Sequence, residues 1–89
     1  MDWRVNLSKE SVAFINSGVV SEEQIFRALS LTIKKLRGEK INIDIKKLKG
    51  MWSGYHRIRI GKLRMIIEID FGNKIIYVDR IDFRGSVYK

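Results

Sequence analysis

Three arginines sit where strand alternation and a tight turn would bring them together. Arg57, Arg59 and Arg64 lie within KKLKGMWSGYHRIRIGKLRMIIEID, residues 46 to 70. Successive side chains of an extended chain point to opposite faces, so Tyr55, Arg57 and Arg59 share one face and His56, Ile58 and Ile60 the other. A two-residue hairpin turn at Gly61-Lys62, which a glycine at its first position permits, sets Ile60 opposite Leu63, Arg59 opposite Arg64 and Ile58 opposite Met65. The returning strand then adds Arg64, Ile66 and Glu68 to the arginine face, and Leu63, Met65, Ile67 and Ile69 to the apolar one. Like charges directly opposite on a sheet cost roughly a few tenths of a kcal/mol or more. An anion lying across the guanidinium groups relieves that cost, and arginine is the side chain suited to forked phosphate contacts. The chemistry this spacing suggests is the grip of a phosphate backbone by an arginine-lined sheet face. The alternative is a solvated face that is simply basic.

The charge distribution points the same way. Residues 1 to 45 carry 7 Lys and Arg against 6 Asp and Glu, and residues 46 to 89 carry 11 against 4, so the second half holds +7 of the net +8. This asymmetry implies a polyanionic partner, nucleic acid before membrane, because the cations ride on strands and not along a basic amphipathic helix. With no cysteine and one histidine, disulfides and thiolate chemistry are excluded and a protein-built zinc site is not expected. No stretch approaches the roughly 20 unbroken apolar residues of a membrane span, and MDWRVNLSKE lacks the apolar region of a signal peptide. The expectation is a cytoplasmic chain with no metal and no cofactor, one domain spanning residues 1 to 89.

The elements that must position the arginines are legible in order. Trp3, Val5 and Leu7 alternate with Arg4 and Asn6, predicting a strand over 2 to 7. Ser8 is placed to cap a helix through Val12, Ala13, Phe14 and Ile15 that stops at Gly18. Ser21-Glu22-Glu23-Gln24 forms a capping box, with Val20 set to pack on Ile25. Ile25, Phe26, Leu29, Ile33 and Leu36 then recur at helical spacing, predicting a helix over about 22 to 37 that ends at Gly38. Ile41, Ile43 and Ile45 alternate as an extended segment or an ordered connector with its isoleucines turned inward. After the hairpin, a loop around Phe71-Gly72-Asn73 leads into a further strand over 74 to 83. A two-residue turn at Gly72-Asn73 and a longer loop starting at Asp70 give that strand opposite inside and outside assignments. The economical arrangement is α+β: a small antiparallel sheet with both helices on one face and the other face open to the arginines.

With that order in hand, the C-terminal half resembles the RelE/ParE superfamily of toxins from type II toxin-antitoxin pairs, and its RelE branch more than its ParE branch. Four pieces carry the resemblance: Lys47-Leu48-Lys49-Gly50; the Tyr55-to-Ile60 strand; Gly61-Lys62-Leu63-Arg64 leading to Met65-to-Asp70; and Arg84-Gly85-Ser86-Val87-Tyr88-Lys89. They span about half the chain, and their order and spacing are more specific than any one of them. The resemblance implies a ribosome-dependent endoribonuclease that cuts messenger RNA in the empty aminoacyl site without metal, by attack of a ribose 2′-hydroxyl on the adjacent phosphorus. It implies a RelB-like antitoxin as partner.

Carried over by position, Arg57 and Arg59 match the paired basic residues of the family's central strand, Arg64 the arginine after the hairpin turn, and Arg84 the one ending the last strand. All four would bind the reacting phosphate. Tyr88 matches a C-terminal tyrosine that stacks on a base or steers the nucleophile, and Lys46, Lys47 and Lys49 would contact ribosomal RNA. Two positions depart from the pattern. Some relatives have lysine at the places of Arg57 and Arg59, and many have histidine at the place of Phe83. Arginine, always protonated, is a poor general base, which leaves His56 and Glu68 as acid-base candidates; alternation turns His56 toward the core, and the simpler reading of Glu68 is as the ion-pair partner of an arginine or lysine. Arg80 and Lys74 read as solvated surface, Trp3 as core and Trp52 as a loop cover, with base stacking the alternative for both tryptophans. A gyrase poison of the ParE kind, or a catalytically silent RNA- or antitoxin-binding protein of the same fold, are the competing functions.

Overall fold

The computed structural model describes residues 3–83, with the side chain of Phe83 left aside. Its elements are β1 (Arg4–Leu7), α1 (Lys9–Asn16), α2 (Glu22–Leu36), β2 (Asp44–Lys47), β3 (His56–Ile60), β4 (Leu63–Asp70) and β5 (Ile75–Phe83), with a single 3-10 turn at Gly50–Trp52. The sheet order is β1-β5-β4-β3-β2. The α+β architecture is the expected one. The sheet is mixed because β1 runs parallel to β5 while every other pairing is antiparallel. Of the segment after α2, only Asp44–Lys47 is a strand, the edge strand β2, whose Ile45 packs against the core; residues 41–43 are a connector leading into it.

Local chemistry sets the helix ends. Ser8 accepts a hydrogen bond from the Ser11 N–H and opens α1; Ser21 accepts from the Gln24 N–H while Gln24 accepts from the Ser21 N–H, so the α2 capping box is complete. Gly38 takes φ +95° just past α2, the left-handed conformation that glycine enters at no steric cost. The buried stripe of α2 is Ile25, Ala28, Leu29 and Thr32. Phe26, expected in that stripe, is 54% exposed, because it lies 100° around the helix from Ile25 and the narrower residues Ala28 and Thr32 take the contact face instead. Thr32 satisfies its buried hydroxyl by donating to the Ala28 carbonyl at 2.9 Å.

One face of the sheet meets the helices. Ile58, Leu63, Met65, Ile67, Ile76, Val78 and Ile81 form a single buried cluster with Val20, Ile25, Ala28 and Leu29. The β3–β4 register is Ile60 opposite Leu63, Arg59 opposite Arg64 and Ile58 opposite Met65, with Gly61 at φ +59°.

The register of β5 follows from a bulge. A four-residue loop pairs Asp70 with Ile75; it is held by the Asn73 side chain and backbone N–H donating to the Asp70 carboxylate at 2.9 and 3.1 Å. Ile76 and Val78 then point to the core. Ile67 pairs with Val78 but Ile66 with Arg80, so Asp79 is the extra residue. Past it the parity inverts: Ile81 is core, and Arg80 and Asp82 share the open face with Ile66 and Arg64. The two assignments left open by the sequence each hold for part of the strand.

The start of α1 clamps that bulge. The Ser8 N–H and the fully buried Ser11 hydroxyl both donate to the Val78 carbonyl at 3.0 Å, and the Ser8 hydroxyl donates to the Asp79 carbonyl at 2.6 Å. Ser8→Ala removes both a cap acceptor and a bulge contact and should cost about 1–2 kcal/mol; Ser11→Ala should cost about 1 kcal/mol. Exposed Ser30→Ala on α2 is the control, expected within about 0.5 kcal/mol of the parent. Urea unfolding reads all three, and a Ser8→Ala variant as stable as the control would show that the clamp does not hold the bulge.

Candidate nucleic-acid interface

The face of the sheet away from the helices is built of ranks that run across the strands. Register sets Lys46, Arg57, Ile66 and Arg80 side by side on β2, β3, β4 and β5. Next to it runs Asp44, Arg59, Arg64 and Asp82. Glu68 and Tyr77 are opposite each other on the other side of the first rank, with Asn6 of β1 beyond Tyr77. Neighbours within a rank are about 5 Å apart and successive ranks about 7 Å.

The two arginine-bearing ranks differ in sign. The Asp44 rank reads minus, plus, plus, minus, so the Arg59 and Arg64 cations are flanked by carboxylates. The Lys46 rank has three cations and no carboxylate. Asp44 also reaches across to that rank: its carboxylate lies 3.0 Å from the Arg57 guanidinium and 3.7 Å from that of Arg59. The arginine cluster is therefore partly compensated within the chain by an edge-strand carboxylate, where the sequence alone points to an external anion for that role. The exposed pair with Arg59 contributes little to stability. Its effect is positional: one carboxylate holds two guanidinium groups side by side.

Arg57 is more enclosed than Arg59, its side chain 16% exposed against 39%. Its Nε is buried and has no hydrogen-bond partner among the described residues. Ile66, beside it, is 3% exposed yet is not part of the helix-side core cluster. A small second packing centre thus exists on the open face. At its border the Arg80 guanidinium carbon lies 5.5 Å from the Trp52 ring centroid, and Trp52 meets Tyr55 edge to face at 5.4 Å. The 3-10 turn at Gly50–Trp52 is what delivers the indole there.

The predicted site residues are distributed as follows. Arg57, Arg59, Arg64 and Lys46 come together on the open face. Lys47 pairs with His56 and so alternates to the other face, and Lys49 precedes the 3-10 turn. Arg84 and Tyr88 lie outside the described residues. Glu68 is on the open face, exposed, and forms no ion pair among the described residues. Arg80 is the residue that sequence reasoning left as plain surface; only the bulge puts it in line with Arg57, and strict alternation gives no signal of it. Among the described residues no cluster of acidic, histidine or cysteine side chains could hold a metal ion, and no helix is long and apolar enough to cross a membrane.

His56 pairs with Ile67 and Lys47 and lies on the helix side of the sheet, away from the arginines. Burial, and secondarily the Lys47 cation, hold its imidazole below the ordinary value of 6.5. The folded chain then binds fewer protons than the unfolded one as pH falls below that value, so stability is retained above it and lost on acidification. Urea midpoints should therefore drop more between about pH 7.5 and 5.5 for the parent than for His56→Gln. Identical pH dependence in the two would show that His56 titrates normally in the fold.

Comparison with known proteins agrees with this geometry. No family model matches the chain. A candidate toxin, RelE1 of Methanocaldococcus jannaschii, is 32% identical over 89 residues, covering 100% of this chain and 98% of the relative. Among solved structures, the RelE–RelB complex of Pyrococcus horikoshii matches with a TM-score of 0.63 at 25% identity, over 98% of this chain and 100% of that one. The RelB–RelE antitoxin–toxin complex of Methanococcus jannaschii matches with a TM-score of 0.62 at 27% identity, over 93% and 94%. The Escherichia coli DinJ–YafQ complex shares the fold, with a TM-score of 0.70 at 12% identity over 99% of this chain and 100% of that one. End-to-end identity to a RelE protein, on a sheet of matching architecture, places the chain in the RelE family of toxins from toxin-antitoxin systems.

Proposed function

We propose that this toxin is a ribosome-dependent messenger RNA interferase, acting in the cytoplasm and silenced by a RelB-like antitoxin. The observation that carries the reading is the helix-free sheet face on which Arg57, Arg59 and Arg64 are held side by side. The full-length relative and the antitoxin complexes among the structural neighbours support it.

The reaction needs few parts. The 2′-oxygen of one nucleotide attacks the adjacent phosphorus, the 2′ proton leaves, the bond from phosphorus to the 5′-oxygen breaks, and that oxygen takes up a proton. The products are a 2′,3′-cyclic phosphate and a 5′-hydroxyl. Guanidinium groups aimed at the phosphorane oxygens stabilise the charge that develops there. Arg57, Arg59 and Arg64 take this role, joined by Arg84, while Tyr88 stacks on a base or steers the nucleophile. Fixing the RNA so that attack and departure lie in line supplies a further share of the rate. Arginines do not accept the 2′ proton, and His56 lies on the other face; proton movement therefore falls to Glu68, water or groups of the RNA and ribosome. Lys46, Lys47 and Lys49 contact ribosomal RNA through a salt-sensitive attraction.

Induced expression in a bacterial host should arrest growth, and Arg57→Ala combined with Arg84→Ala should abolish the arrest while the purified variant still unfolds cooperatively. Arrest that persists in the folded double variant would contradict the reading. Arrest accompanied by accumulated cleaved-DNA complexes, with messenger intact, would assign the toxin to gyrase poisoning instead. No arrest from the parent chain would mark it as silent.

A further inference from the structure

Arg80 has surroundings that a solvated surface arginine does not need. Its guanidinium is seated over the Trp52 indole, the indole is braced edge-on by Tyr55, and the Asp79 carboxylate lies 3.9 Å from its Nε. Indole and carboxylate together restrict a side chain that would otherwise sample many rotamers. Despite this seating the side chain remains 55% exposed. The guanidinium is planar, and with its carbon 5.5 Å from the indole centroid and its side chain still 55% exposed it is open to a further planar group. The group lies in the same rank as Arg57, separated by Ile66, about two strand spacings or 10 Å away. That is the reach from a phosphate held at Arg57 to the base of its own or the next nucleotide.

Building on the interferase reading, we infer that Arg80, carried on Trp52 and Tyr55, is a stacking platform for a nucleobase of the single-stranded RNA whose phosphate lies on the arginine face. A guanidinium of fixed orientation stacks on any base through its π-face, and the loss of rotamer freedom has already been met in the free protein. Arg80 is a positioning residue: it orients the nucleotide and takes no part in bond making. The platform discriminates a base from no base, and is indifferent to sugar and phosphate. Trp52 acts through Arg80 and not by direct contact.

The test separates stacking from charge and from fold. Ribosomes stalled with an empty aminoacyl site are programmed with messengers carrying the natural codon or an abasic nucleotide at one of its three positions. For the parent toxin, one abasic position should lower kcat/KM by about 5- to 150-fold, the range expected for loss of one stacked base. Arg80→Lys keeps the charge and removes the planar group; it should cleave the natural codon less well and abolish the discrimination at that position, giving a base-to-abasic ratio near one. Trp52→Leu should reduce the same ratio by releasing Arg80. A second measurement needs no cleavage: fluorescence anisotropy of the free parent toxin at low salt, with labelled hexauridylate and an abasic hexamer of equal charge, should show tighter binding of the former, a preference lost in Arg80→Lys. If the parent toxin cleaves but Arg80→Lys keeps the full abasic discrimination, the platform is overturned and the interferase reading stands. If the parent cleaves nothing yet prefers hexauridylate through Arg80, the platform stands and the interferase reading falls. Equal binding of the two hexamers by a non-cleaving parent overturns both.

Discussion

The two-faced sheet depends on one extra residue. Asp79 enters β5 as a bulge, and the hydroxyls of Ser8 and Ser11 hold its flanking carbonyls. Without the slip, strict alternation would place Arg80 and Asp82 on the side of Ile76 and Val78, driving two charges into the apolar core, and would turn Ile81 out to solvent. Desolvating those charges without partners would cost several kcal/mol each, a large part of the margin of a domain this size. The bulge lets one strand serve the core in its first half and the open face in its second. It also couples the halves of the chain, since the clamp comes from the α1 N-terminus and the strand it re-phases is near the other end.

The open face balances opposed electrostatic demands. On the proposed function, this surface needs cations free to meet a phosphate backbone, yet neighbouring cations repel when no ligand is bound. The ranks divide the task. Asp44 and Asp82 flank Arg59 and Arg64; the Lys46 rank has no carboxylate of its own, though Asp44 reaches Arg57 and Asp79 lies beside Arg80, and the apolar Ile66 separates these two arginines. Asp44 sits on the edge strand, half-exposed, so it orients Arg57 without enclosing the face. The Arg57 and Arg59 guanidinium groups are already turned toward one carboxylate, so on the proposed function a phosphate bound there would cost less entropy to hold.

Much of this was legible in the residues. The Gly61-Lys62 turn, the alternation of Tyr55 to Ile69, the Ser21–Gln24 capping box and the glycine stops are local signals, and each corresponds to an element where expected. The resemblance to RelE toxins rested on the same C-terminal strands. What local pattern could not supply was long-range. The parallel docking of β1 beside β5 joins residues some 70 positions apart, and the bulge depends on a contact between α1 and β5 that alternation does not encode. For that reason alternation alone leaves Arg80 as plain surface. The role of Asp44 was missed for another: it is one acidic residue in a polar connector, and only the β2–β3 register brings it against Arg57 and Arg59. The helix stripe misplaced Phe26 because spacing alone does not say how wide a face the sheet will cover.

On the proposed function, this arginine face cuts messenger RNA only when the ribosome presents it. Primer extension on a defined messenger in a purified translation system, with ribosomes stalled at an empty aminoacyl site, is the deciding measurement. New 5′ ends within the aminoacyl-site codon, formed only when toxin and ribosomes are both present, are the expected result. An intact messenger with active ribosomes and folded toxin, or cuts that appear equally on naked RNA, would contradict the claim.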